Sequence, residues 1–184
     1  HRDLHSFPTR RSSDLYPSFS HVNPMHLVAN RPWIISDYTE AEFLLAEAVE
    51  RGFNVGGTAA GHYKNAVESS ILYWGGTPAE ADAYLAQPSV AYSTAFPTWK
   101  QKIGTQAWLA YWLRGNTLWN SYRRLDYPRL FAPPNYKQNI NKVPVRLFYP
   151  VSEQTLNAEN YEAASAAIGG DSPLTRLFFD KELY

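Results

Sequence analysis

The chain has 184 residues, 45% of them hydrophobic and 18% charged, with 17 Lys+Arg against 17 Asp+Glu and no cysteine. This length and balance fit one globular domain or a substantial piece of one. The zero net charge supplies no field for polyanions such as nucleic acid, the lack of cysteine removes disulfides and thiolate metal sites, and no apolar run approaches the roughly 20 residues needed to span a bilayer.

The segment HSFPTRRSSDL, residues 5–15, reads as the in-frame translation of a sequencing adapter. It has neither an apolar period nor a helix cap, so residues 1–15 are expected to be disordered and are set apart from the fold. The same reading predicts a chain truncated at its N-terminus, with residues 16–184 as the domain portion.

After a proline-punctuated extended stretch over residues 16–36, Thr39-Glu40-Ala41-Glu42 reads as a capping box. Ala41, Leu44, Leu45 and Ala48 recur at i, i+3, i+4 and i+7, which predicts a helix with that stripe turned to a core and Gly52 as its end. A second helix is predicted over residues 59–74, where Tyr63, Ala66, Val67, Ser70, Ile71 and Trp74 keep the same period until Gly75-Gly76. The glycine-rich turn over residues 54–57 makes the two a tetratricopeptide-like hairpin. Thr77-Pro78-Ala79-Glu80 then starts a short third helix with a Thr-x-x-Glu box and proline at its first position. Pro97 opens a longer helix in which Trp99, Ile103, Gln106, Ala107, Ala110 and Leu113 share a face, with Gly115 as its stop. Another helix runs through Leu125. Beyond Pro128 come a proline-rich loop over residues 131–142, a short apolar piece over residues 146–149, and a last helix over residues 159–167 broken by Gly169-Gly170. The predicted class is all-α: a tetratricopeptide-like helical hairpin plus an irregular loop-rich region.

Residues 108–128 hold Trp108, Trp112 and Trp119, Tyr111, Tyr122 and Tyr127, and Arg114, Arg123 and Arg124. Stacked sugar recognition needs flat rings edged by hydrogen-bonding groups, because a pyranose offers an apolar face and a rim of hydroxyls. Trp119, Tyr122, Arg123 and Arg124 have that composition. Trp119, Tyr122 and Arg123 are also i, i+3 and i+4 on a helix, so the arginine can cover packed rings, and the structural reading is preferred. Tyr92, Trp99 and Tyr136, in or near loops, are freer candidates, and no ligand-binding residue is singled out. Glycoside hydrolysis needs two opposed carboxyls roughly 5–9.5 Å apart. Glu40, Glu42, Glu47 and Glu50 instead share one predicted helix, where capping and a solvated face explain them. His21, His26 and His62 match no metal-binding spacing, and no nucleophile elbow or phosphate-cradling loop occurs. No catalytic residue, metal or cofactor is expected.

Taken in order, Tyr38-Thr39-Glu40-Ala41-Glu42-Phe43-Leu44, Ala46-Glu47-Ala48, Tyr73-Trp74-Gly75, Tyr84-Leu85 with Pro88, Trp119-Asn120-Ser121-Tyr122-Arg123-Arg124, Tyr127-Pro128-Arg129-Leu130, and Val145-Arg146-Leu147-Phe148-Tyr149-Pro150 with Ser152-Glu153 and Asn157 resemble the C-terminal portion of the SusD/RagB family. The closer likeness is to its SusD-like branch, common in Bacteroidetes, and it covers residues 35–164. Leu125-Asp126 departs from an expected Thr-Gly, and Val145 stands where a second arginine is common; both bear on local turn geometry. The resemblance implies a non-catalytic, cell-surface lipoprotein of the outer membrane. Such a protein captures glycans, or peptides in some members, and hands them to a SusC-type TonB-dependent transporter. It implies tetratricopeptide-like helix pairs and a lipid-anchored cysteine outside this fragment, and it carries over no binding residue. The alternative reading is a helical-repeat scaffold for protein partners, with a glycoside hydrolase behind it.

Overall fold

A computed structural model describes residues 21, 22, 24, 27–131 and 142–180. The adapter-like segment, His26 and Tyr136 lie outside the described residues. The chain divides into two compact units, residues 1–35 and 36–184. In the first, the Leu27 amide donates to the Pro24 carbonyl and the Arg31 amide to that of Val28.

The second unit is helical, with no strand among the described residues. Helices α1 (Tyr38–Glu50), α2 (Ala59–Tyr73), α3 (Pro78–Leu85), α4 (Trp99–Ala110) and α5 (Gly115–Leu125) precede α6 (Val151–Leu156) and α7 (Ala158–Ala167). The α1/α2 hairpin forms the largest helix contact; α3 and α4 pack on α2, and α4 also packs on α1 and α5. Phe43, Ala46, Tyr63, Ala66, Val67, Ile103, Ala107, Ala110, Tyr111 and Leu125 form the core. The Phe43 ring meets those of Tyr63 and Tyr111 edge-on, at 6.4 and 6.0 Å, the geometry that aromatic quadrupoles favour. Gly104 lets α4 approach the following segment closely, because a Cβ there would lie 2.9 Å from Tyr127 Cβ.

Several starts and stops are as the sequence predicts. Thr77 and Glu80 form the capping box of α3, with Pro78 inside its first turn. Gly52 and Gly75 follow α1 and α2 at φ 85° and 92°, where a residue with a Cβ would be strained.

Other expectations are corrected. Asp37, not Thr39, caps α1, since its carboxylate accepts from the Glu40 amide. Thr39 sits inside the helix, where its hydroxyl donates to Ser69 Oγ. The buried face of α1 is Thr39, Glu42, Phe43, Ala46 and Glu47, while Ala41 and Leu44 are exposed. The face turns because its glutamates meet cations: Glu42 pairs with His62, and Glu47 with Arg51 and Arg124. Buried charge is tolerated when it is paired. Glu42 and Glu47 are therefore not on a solvated face.

Gly115 does not stop the fourth helix; it begins α5. The break falls earlier, at Tyr111, and Leu113 takes φ 65° and is exposed, off the shared face predicted for it. That turn carries Arg114 inward to Asp37 and Glu40 at the start of α1. Asp126, in the position expected to be glycine, closes α5 at φ 62°. Aspartate is among the few residues that enter this region readily, and Arg176 holds its carboxylate at 2.7 Å. The sequence reading missed α6, a six-residue helix without a side-chain cap. The apolar piece before it is tied down by Arg146, buried against Asp171 at 2.6 Å, and by the Val145 amide donating to the Pro173 carbonyl.

His62 clamps the α1/α2 connection. Its Nδ1 lies 2.7 Å from Glu42 Oε2 and its Nε2 lies 2.9 Å from the Gly56 carbonyl oxygen. Both partners only accept, so both ring nitrogens must donate and the imidazole is held as its cation. Hydrogen bonding to the Gly56 carbonyl first, and then to Glu42, raises its pKa above 6.5. Burial alone would raise the pKa of Glu42, but hydrogen bonds from His62, Tyr38 and Asn65 outweigh it and hold the carboxyl below its ordinary value. A raised histidine pKa gives stability that is full below the unfolded value and is lost as pH rises through the folded one. The urea midpoint is thus expected to fall as pH rises above about 6.5, and His62→Gln should remove that slope. A midpoint unchanged across this range in the unsubstituted chain would contradict the clamp.

Candidate glycan-binding groove

Packing α3 and α4 against the C-terminal half of α2 leaves an open groove of about 450 Å³. Its floor is Val67, Ile71 and Ala110, and its wall is Trp74. The sequence builds this edge locally: α2 ends at Tyr73, and Gly75-Gly76 turns the chain so that the Gly76 amide donates to the Ile71 carbonyl. A Cβ on Gly76 would come within 2.5 Å of the Ile71 side chain, so glycine keeps this turn tight.

The aromatic surface extends past the groove. The Trp74 ring lies 5.3 Å from that of Trp112, tilted by 53°, and 5.3 Å from that of Tyr73. Trp112 is 46% exposed and Leu109, on the groove rim, 54%. Polar groups converge on the same space. The Tyr84 hydroxyl donates to Gln106 Oε1 at 3.1 Å, which orients a Gln106 side chain only 6% exposed. Gln106 lines the groove, and its amide nitrogen is a donor in the side chain that Tyr84 orients. The carboxylate in the lining, Glu80, accepts from the Thr77 amide and hydroxyl. Those bonds hold its pKa below the ordinary value. The arrangement offers the Trp74 indole with the half-exposed Trp112 ring beside it, an amide side chain and an apolar floor, the kinds of group that a sugar ring uses.

The sequence candidates are placed differently. Trp119 Nε1 donates to the Pro144 carbonyl at 3.2 Å, Tyr122 packs edge-on against Trp108 at 5.9 Å, Arg123 covers the Trp119 ring at 4.7 Å, and Arg124 pairs with Glu47. Tyr92 donates to Glu50 and lies against Tyr63. Trp99 is flanked by the cations of Arg51 at 5.3 Å and Lys100 at 5.9 Å, beside a second hollow of about 520 Å³. Glu40, Glu42 and Glu47 point to separate cationic partners, Arg114, His62 and Arg124. Among the described residues no cluster of three metal-ligating side chains occurs, and no helix is long and apolar enough to cross a membrane. The sequence places Trp74 on the apolar stripe of the second helix and gives it no ligand-binding role. Gln106 and Trp112 join Trp74 only through the packing of α2 on α4.

A family model described as starch-binding, associating with the outer membrane, matches residues 8–150. The chain belongs to the SusD-like family. Solved structures agree with that membership. A SusD-like protein of Bacteroidetes AC2a superposes with a TM-score of 0.71 at 32% identity, over 85% of this chain and 32% of its own. A SusD homologue of Bacteroides vulgatus gives 0.73 at 28% identity, over 90% of this chain and 39% of its own. A chitin-binding SusD homologue from Flavobacterium johnsoniae gives 0.63 at 28% identity, over 78% and 36%. The chain thus spans 32% to 39% of the length of these relatives. Comparison with curated proteins finds no match.

Proposed function

We propose that this SusD-like chain is part of a non-catalytic, cell-surface protein of the outer membrane that captures oligosaccharides and delivers them to a SusC-type TonB-dependent transporter. A lipid anchor outside this segment would hold it to the membrane, and peptides are the other ligand class in view. The observation that carries the reading is the Trp74/Trp112 surface beside the Gln106 amide, in a chain whose family is described as starch-binding. The chitin-binding relative supports the same ligand class. Capture without cleavage is supported by the state of Glu80, which is tied to Thr77 and is the one carboxylate among the described residues that line the groove.

The experiment is calorimetric titration of the chain with maltotriose and chitotriose, with reducing-end release followed in the same samples. Binding without release is expected. Trp112→Ala should weaken it about tenfold, since an aromatic stacking contact contributes about 0.5–1.5 kcal/mol beyond its buried area. Release of reducing ends by the chain would overturn the non-catalytic reading, and unaltered affinity in the variant would move the site elsewhere. Retention of the protein by a co-expressed TonB-dependent barrel tests the delivery step.

A further inference from the structure

Arg123 stands apart from the other paired guanidinium groups of the helical unit. Arg51, Arg114, Arg124, Arg146 and Arg176 each meet a carboxylate. Arg123 meets none among the described residues, and its buried Nε has no hydrogen-bond partner. Two aromatic rings hold it in place: its guanidinium carbon is 4.7 Å from the centre of Trp119 and 5.3 Å from that of Phe179. Trp119 is itself fixed by its bond to the Pro144 carbonyl. Stacking a guanidinium between rings lowers the entropy lost when it binds an anion and strips part of its water.

Arg123 lines an open groove of about 340 Å³ with Arg146, Phe148 and Tyr149. Among the described residues the lining contains two arginines and no carboxylate. Arg146 is neutralised by Asp171 and lies over the Tyr149 ring at 4.7 Å, so of the two cations Arg123 is the one without a carboxylate at ion-pair distance among the described residues. The nearby acid, Asp180, pairs through Oδ1 with Arg176 at 2.6 Å and feels the Arg123 charge only at longer range. Beside the charge, Phe148 is half exposed and Leu147 more so, giving an apolar wall next to a planar cation.

We infer that this groove is an anion-selective subsite that takes the carboxylate of a hexuronic acid residue. A guanidinium binds a carboxylate through two parallel hydrogen bonds, and a uronic acid carries its carboxylate on a ring whose apolar face suits the Phe148 and Tyr149 side. The inference rests on the glycan-capture reading and adds charge selectivity to it, at a place separate from the Trp74/Trp112 groove.

The test compares tri-galacturonate with its fully methyl-esterified form, which keeps the rings and removes the charge, by calorimetry on the whole chain. The acid is expected to bind about tenfold more tightly, with the preference shrinking as ionic strength rises. Arg123→Gln should remove the preference, and Arg123→Lys should restore part of it as a point charge without the fork. Circular dichroism of each variant establishes that the fold is kept. Equal binding of acid and ester, or a preference that survives in Arg123→Gln, overturns the inference. Chitotriose binding that depends on Trp112, without any acid preference, would sink the anion subsite alone; failure to bind any of these glycans would remove the capture reading as well.

Discussion

Replacing Tyr63 by alanine is expected to destabilise the helical unit by about 3–5 kcal/mol, the range for deleting a buried aromatic ring. Tyr63 is 1% exposed at the centre of α2. Its ring touches Phe43 of α1 at 6.4 Å and Tyr92 of the α3–α4 connection at 5.0 Å, so a single side chain joins successive parts of the fold. Its hydroxyl donates to the buried Val90 carbonyl at 2.7 Å, and burial pushes its pKa up. Tyr63→Phe separates the two contributions. The ring stays, the Val90 carbonyl loses its partner, and about 1–3 kcal/mol should go, as for an unsatisfied buried acceptor. Urea unfolding of both variants checks the order. A loss below about 1 kcal/mol for the alanine variant, against the range for core truncation, would mean that the helix pairs are not packed around this ring.

Tyr63 was legible in the sequence because helix α2 obeys its own period: every residue of its predicted stripe is at least partly buried. The same holds for α3, whose start is written within four consecutive residues. Local rules fail where the decisive partner is remote. In α1 the aliphatic stripe and the observed buried face compete, and the glutamate-bearing face wins because His62 and Arg124 stand opposite it. No window along the sequence contains both sides of those pairs. The candidate groove was illegible for the same reason. Trp74 closes one helix, Gln106 lies within another and Trp112 follows that one, and only tertiary packing brings an indole pair and an oriented amide together. Residues 108–128 drew notice by composition, yet most of their aromatic surface faces neighbours within the fold. Two exceptions in that run are Trp112, 46% exposed beside the groove, and the Arg123 cation, whose lack of a carboxylate at ion-pair distance among the described residues is a property of geometry and leaves no trace in the string of letters.

Arg114→Met should lower stability by about 3 kcal/mol, the lower end for breaking a buried ion pair by removing one partner. Methionine keeps an unbranched apolar stem and deletes the charge, so the loss reports electrostatics more than packing. The Arg114 side chain is 9% exposed and reaches Asp37 at 3.0 Å and Glu40 at 2.5 Å. Without it, two carboxylates at the first turn of α1 remain near each other and only about a quarter exposed. The helix N-terminus compensates part of that charge, and partial exposure admits water, which keeps the effect from the upper end of the range. The contact also explains the shape of the α4–α5 junction. Leu113 adopts a left-handed conformation that a non-glycine residue takes only at a cost of about 1–2 kcal/mol, and the ion pairs offset it by drawing Arg114 inward. Leu113→Gly, made in the Arg114→Met background, should therefore recover part of the loss, because it removes the strain those pairs no longer oppose. Chemical denaturation of the single and double variants reads this directly, and a double variant no more stable than Arg114→Met would break the link between the turn and the pairs.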